Sequence, residues 1–402
     1  MNFQLAYSQG FLELLFLILN PSYKLVLYRC LMLYFAYKAD HQFYRNNSLQ
    51  NINKKTKFNL EIQQILITFC FFIMYPQVHI ILKEFISILF MHLLVQQYPK
   101  MLTFCESYAL SQYIIEYYQF NGQNMFEYLS ELVLMLSILS YILIILIHQI
   151  PIKELAFGFT FIAIFKINFF SIYYYLQYRG HSLSILINEI ATQEFGTYFF
   201  LQFLGLMLVI PISYLNWKKI IQRKLFHFQI FFIILLGTYL NINYTKLALA
   251  VFIWFFIVFE GLRQYYRNDI EILNKYSKFL LSFCDKRDSE KLIITQIYLL
   301  MGVSHSVFFS VTNKFIGIII LGVGDSFAAI IGSKFGKLKY QNQRSIEGTI
   351  SFILGCSIAN YFLNGNIQLW IIAAAIEAYT AQIDNLILPK IQLNQIVQMI
   401  QL

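Results

Sequence analysis

Long apolar runs separated by short polar breaks dominate the chain. Uncharged stretches extend from Leu132 to Ile152, Phe195 to Trp217, Leu292 to Asn313 and Gly348 to Ile376. A helix needs roughly 20 predominantly apolar residues to cross a bilayer core. The last run is too long for one span, and "NGN" at Asn364 to Asn366 splits it. The first spans are blurred by Glu13, Arg29 and short loops. The pattern predicts an all-α, polytopic integral membrane protein with roughly a dozen to fourteen transmembrane helices.

Composition agrees. Of the 402 residues, 58% are hydrophobic and 13% charged, whereas a soluble domain carries about 25% charged residues. The mean hydropathy is +0.58. No basic region and no small-residue cleavage site mark a removable signal at the N-terminus, so the first apolar stretch is expected to remain as an anchor. Cys30, Cys70, Cys105, Cys284 and Cys356 have neither metal-ligand spacing nor a disulfide framework. They are expected to be buried free thiols.

The net charge of +9 does not argue for nucleic acid. In a polytopic protein, excess Lys and Arg collects in cytoplasmic loops and orients the helices. Lys218, Lys219, Arg223 and Lys224 precede a span from about 225 to 241. Arg263, Arg267, Lys275, Lys278, Lys286, Arg287 and Lys291 fill the next long loop, and Lys334, Lys337, Lys339 and Arg344 a third. The turns between them, "NINYTK" and "SVTNK", carry one lysine each. The three basic loops are therefore expected on the cytoplasmic side. Two sequons, at Asn46 and Asn243, are not expected to be glycosylated: basic neighbours place the first in the cytoplasm, and the second hugs the membrane.

Polar chemistry concentrates in the C-terminal half. This suggests two regions: residues 1–217, a multi-helix scaffold or lipid-facing part, and 218–402, a catalytic part. Gly324, Ala328, Gly332 and Gly336 recur every four residues and form one ridge of small side chains on a helix. Such a ridge lets another helix or a ligand approach the backbone. Asp325 lies on the adjacent ridge with Ala329 and Ser333. A carboxylate at that depth is costly and usually functional. The following loop is basic and glycine-spaced, with features of a phosphate site, although a positive-inside loop and a helix cap at Ser345 also account for it. It is not a Walker A sequence.

Four further clusters stand out. Arg223 and His227, spaced i, i+4, share a face, as snorkelling and packing residues also would. Glu260, Arg263 and Arg267 line one face at a boundary, where interfacial ion pairing is the plainer explanation. Glu377, Ala381 and Asp384 fall on one face of an apolar span, with pairing to a basic residue of another helix as the alternative. Asp285 and Asp288 lie in a basic loop and read most simply as solvated. His305 reads as a packed residue, and no metal site of His and Cys is visible.

"RKLFHF", "DKRDSEKLIITQIYLLMG", "LGVGDSFAAIIGSKFGK", "RSIEGT" and "EAYTAQIDNLILP" together resemble the C-terminal half of the dolichol kinase family, in order and spacing, from about 221 to 390. "EAYT-QIDNL-LP" is the most specific. The D-x-x-A…G-x-x-x-G…E-G pattern is shared with phytol kinases and phosphatidate cytidylyltransferases. The resemblance implies a multi-pass enzyme of the endoplasmic reticulum membrane, its CTP loop facing the cytoplasm, that transfers the γ-phosphoryl of CTP to the terminal hydroxyl of dolichol. Dolichyl phosphate for protein glycosylation would be the product. Dolichol and CTP are the partners implied, with no protein partner and no nucleic acid.

The family's CTP-binding segment falls on Gly332 to Glu347. Where the family usually has Pro-Gly and paired lysines, this chain has "YQNQRS", one residue shorter, with Arg344 in a lysine position. Arginine binds phosphate bidentately. On this reading Gly332, Ser333, Lys334, Gly336, Lys337, Arg344, Ser345, Glu347, Gly348 and Thr349 hold the nucleotide. Asp325 and Glu347 hold Mg²⁺ or another divalent cation. Lys224 and Arg223 approach from the neighbouring span. Asp325, His227 and Asp384 are alternatives for the proton acceptor, and Glu260 and Glu377 complete the pocket. The rival readings are a cytidylyltransferase acting on a lipid phosphate, and a non-enzymatic transporter or scaffold.

Overall fold

The computed structural model describes residues 110, 113, 117, 122–207, 219–283, 293, 295–309, 314–340, 344–361 and 367–379. Nearly all of these are helical: α1 (Met125–Ile147), α2 (Lys153–Tyr178), α3 (Leu183–Ile190), α4 (Gln193–Met207), α5 (Lys219–Leu240), α6 (Ile242–Tyr266), α7 (Glu271–Phe283), α8 (Thr295–Phe309), α9 (Ile316–Phe335), α10 (Ile346–Tyr361) and α11 (Ile367–Tyr379). Five of them, α1, α2, α5, α6 and α9, are long and apolar enough to cross a membrane. The expected total of a dozen to fourteen extends into residues 1–109 and other stretches outside the described residues. Cys30, Cys70, Cys105 and Cys284 also lie there, while Cys356 is a buried free thiol.

The lipid-facing side is legible on α2. Phe159, Phe161, Phe165, Phe169 and Phe170 are exposed on it. In water such a stripe would be unstable; in a bilayer it is ordinary. The core lies where α5, α6, α8, α9, α10 and α11 meet, around Ile318 to Leu321, Phe352 and Trp370. α1 packs along α6, so the N-terminal part buttresses the C-terminal one.

Two connections are sharper than the sequence alone shows. The expected short turn at "NINYTK" is confined to its first residue. Only Asn241 separates α5 from α6; its Oδ1 accepts from the amides of Asn243 and Tyr244 at 3.0 and 3.2 Å and caps α6. The expected long basic loop after α6 begins inside that helix and then contains α7. Arg263 is not a loop charge but a buried side chain of α6. α7 buries Leu273, Ser277 and Leu280, a helical spacing, while Glu271 and Lys275 pair on its exposed face at 2.8 Å. The expected break at Asn364 to Asn366 lies outside the described residues.

α9 is not a uniform helix. Ile319 to Gly324 is π-helical and wholly buried, and α-helix resumes at Asp325. A π segment changes the angular register of everything after it, and such segments concentrate at functional sites. It sets the direction of Asp325.

Candidate active site

The ridge of small residues on α9 packs against α10. A Cβ on Gly324 would meet Cys356 Sγ at 2.6 Å and Phe352 Cζ at 2.7 Å. One on Gly348 would come within 3.0 Å of the Ala328 carbonyl, and one on Gly332 within 2.8 Å of Ser345 Oγ. The close approach read from the four-residue spacing is therefore a helix–helix seam. Asp325, Ala329 and Ser333 are turned to the side of it.

The chain then leaves α9 and returns through a short hairpin. Lys339 bridges to Ser345 in antiparallel fashion. The Tyr340 amide donates to the Arg344 carbonyl at 2.8 Å, and the Ile346 amide to the Leu338 carbonyl at 2.9 Å. Ser345 caps α10, its Oγ accepting from the Gly348 amide at 3.1 Å. Glu347 ties down the base of the hairpin: its Oε1 accepts from the amides of Lys337 and Leu338 at 3.0 and 3.2 Å.

These elements enclose a cavity of about 430 Å³. Arg223 and Lys224 line it from α5, and Asp325, Ala328, Ala329, Gly332 and Ser333 from α9. Gly336, Lys339 and Arg344 contribute from the hairpin, Ser345 and Gly348 from α10, and Glu377 from α11. Four basic side chains thus face a floor of small residues with two acids. Both acids are engaged: Lys224 Nζ pairs with Asp325 Oδ2, and Arg344 pairs with Glu377. His227 stands behind Asp325. Its Nδ1 lies 2.8 Å from the Arg223 carbonyl, so that nitrogen is the donor and Nε2 the acceptor. Nε2 is buried without a hydrogen-bond partner, 3.8 Å from Asp325 Oδ2.

The sequence-derived candidates fall into three groups. Arg223, Lys224, Asp325, Gly332, Ser333, Gly336, Arg344, Ser345, Gly348 and Glu377 converge on the cavity. Lys334, Lys337, Glu347, Thr349, Glu260 and His227 are not among its lining residues. Lys334 and Lys337 are exposed, and Thr349 Oγ1 bonds back to the Ser345 carbonyl at 3.3 Å. Glu260 is 4% exposed and holds Arg263, itself 1% exposed, in a two-pronged ion pair of 2.6 and 2.7 Å. Its Oε1 also accepts from the Ile293 amide at 2.6 Å. Asp384 lies outside the described residues, as do Asp285 and Asp288. Lys339, absent from the sequence-derived set, lines the cavity. Its only sequence signal was the cationic character of the loop; its placement needs the pairing with Ser345.

The donor set fits a hard divalent cation modestly. Mg²⁺ takes one or two carboxylates and completes its shell with phosphate oxygens and water. Asp325 offers one carboxylate at the cavity. Glu347 Oε1 accepts from loop amides, while its Oε2 is buried without a hydrogen-bond partner. No group of three metal-ligating side chains occurs among the described residues.

No family model matches the chain, and no solved structure does. Curated relatives do. The dolichol kinase of Saccharomyces cerevisiae is 37% identical over 135 residues, which cover 33% of this chain and 25% of that protein. That of Bos taurus is 34% identical over 198 residues, 42% of this chain and 36% of the relative. That of Homo sapiens is 32% identical over 197 residues, again 42% and 36%. The matched stretches thus span little more than a third of these relatives' length at most, and over that part the chain is similar to the dolichol kinases of yeast and mammals.

Proposed function

We propose that this protein is a CTP-dependent kinase of dolichol, acting at the endoplasmic reticulum membrane with the hairpin between α9 and α10 on the cytoplasmic side. The observation that carries the reading is the convergence of Arg223, Lys224, Lys339 and Arg344 on one cavity beside Asp325. The similarity to proteins named dolichol kinase supplies the acceptor and, with the motif resemblance, the donor.

Phosphoryl transfer requires charge neutralisation and alignment more than covalent chemistry by the protein. The four cations would hold the triphosphate, with the small residues of α9 and α10 letting it approach the backbone. Their present carboxylate partners keep Lys224 and Arg344 in place before phosphate oxygens replace them. Asp325 would hold Mg²⁺, which neutralises charge on the phosphates when bound. The alcohol oxygen attacks the γ-phosphorus, the bond from that phosphorus to the β–γ bridging oxygen breaks, and CDP leaves. The hydroxyl proton passes to Asp325 or to His227, whose Nε2 is an unpartnered acceptor 3.8 Å from Asp325 Oδ2; Asp384, the third acceptor the sequence offers, lies outside the described residues.

The decisive test supplies purified protein with dolichol, Mg²⁺ and CTP labelled either at the γ-phosphate or in the cytidine. Label in lipid from the γ-phosphate alone is expected. Cytidine in the lipid would make the protein a cytidylyltransferase instead.

A further inference from the structure

A second cavity, of about 330 Å³, shares α5 with the first, its lining on that helix starting at Phe226 where that of the first includes Arg223 and Lys224. It runs between α4, α5, α6, α7 and α8, and its walls are largely apolar: Phe226, Ile230 and Ile233 from α5 face Ala248, Phe252 and Phe256 from α6. It is elongated. Its α6 wall extends from Thr245 to Phe256, about 16 Å at 1.5 Å per residue. The long axis follows the membrane-crossing helices, which suits one extended chain better than a compact ligand.

The two ends are not equivalent. At the far end the polar groups are satisfied: Tyr198 donates to Thr245 Oγ1 at 3.1 Å, and Gln202 to the Ile233 carbonyl at 3.1 Å. At the near end Phe226 follows Arg223 and Lys224 of the cationic cavity on the same helix. One turn deeper, Gln229 is 7% exposed. Its Nε2 donates to the Gly205 carbonyl at 2.6 Å, which fixes the amide's orientation. Its Oε1 is buried without a partner. An unpartnered acceptor in an apolar wall is costly. A hydrocarbon leaves it so, whereas a hydroxyl donor relieves it.

We infer that this cleft binds one lipid alcohol, its chain laid along α5 and α6 and its hydroxyl donating to Gln229 Oε1. This is a loading position about 7.5 Å along the helix axis from Lys224. The inference rests on the reading of the protein as a kinase of a lipid alcohol, and it adds where that alcohol waits.

The test uses the full chain in lipid nanodiscs without nucleotide, so it does not depend on turnover. The probe is a long-chain polyprenol carrying a diazirine in its tail. Photolysis is expected to place adducts on α5, α6 and α8, and Ala248→Trp, which fills the cleft, to reduce them about tenfold. Ala248→Phe serves if the larger ring prevents folding. Gln229→Leu should erase the preference for the alcohol over its methyl ether. Adducts confined to other helices, labelling that neither Ala248 variant lowers, or equal labelling of the same peptides by a diazirine phospholipid would overturn the proposal. A protein that labels as expected yet phosphorylates no alcohol would refute the kinase and leave the cleft; one that phosphorylates but labels elsewhere would do the reverse.

Discussion

Lys224 and Asp325 stand 101 positions apart in the chain, and their side chains form an ion pair at the wall of the cationic cavity. The pair joins the start of α5 to the point on α9 where π-helix gives way to α-helix. Asp325→Asn keeps the shape and removes the charge. It should lower turnover about 100-fold or more while the protein remains inserted and folded. Kinase activity with γ-labelled CTP, beside a thermal melt in detergent, measures both; near-normal turnover would remove Asp325 from the chemistry.

Arg344 pairs with Glu377 across the mouth of the same cavity. If it holds phosphate, Arg344→Ala should raise the KM for CTP about tenfold or more, in keeping with a lost charge-assisted bond. Arg344→Lys should recover part of this but not all, because a lysine cannot grip bidentately. A KM unmoved by either variant would assign the residue to tethering α11 alone.

Glu347 separates two roles that sequence alone confounds. Its own amide and those of Lys337 and Leu338 hold its carboxyl below the usual carboxylate range. Stabilisation of the hairpin is therefore complete above that range and is lost as pH falls through the depressed value. Glu347→Ala should accelerate hydrogen exchange at residues 337 and 338 and raise the KM for CTP, with Glu347→Gln intermediate. A metal ligand would behave otherwise: the Mg²⁺ dependence would shift and the exchange rates would not.

Glu260 and Arg263 are buried together and secure Ser277 of α7 and the Ile293 amide before α8. Removing one partner of such a pair costs about 3–5 kcal/mol, because the other charge is left buried alone. Glu260→Ala should therefore lower the melting temperature and yield. A stable variant with raised KM for dolichol would instead restore the substrate-pocket role.

The seam between α9 and α10 gives a purely structural prediction. Gly324→Ala places a methyl against Cys356 and Phe352, and overpacking of this kind costs roughly 1–3 kcal/mol. Gly158 on α2 has nothing near its added Cβ. Gly158→Ala should be neutral or slightly stabilising in the same melt.

Local rules made much of this protein legible. Apolar runs of bilayer length announce helices whatever their partners. The four-residue recurrence of Gly324, Ala328, Gly332 and Gly336 announces a close-packed face, because helical periodicity is a property of the chain alone. The cationic character of residues 334–344 and the exceptional placement of Asp325 are likewise local facts. Tertiary structure decided what each charge is spent on. Glu347 bonds loop amides through Oε1 and leaves Oε2 buried without a hydrogen-bond partner, and Glu260 holds Arg263. Lys339 enters the cavity only through pairing with Ser345, and Asp325 meets Lys224 only because α5 and α9 pack together. The π segment that sets Asp325 has no signal in a run of Ile, Leu, Val and Gly. Its register depends on what Gly322 and Gly324 touch, namely Phe231 and Phe352. Pattern determines which faces are apolar; only packing determines which polar atoms meet, because a hydrogen bond or ion pair requires a separation of about 3 Å held to within a few tenths of an ångström.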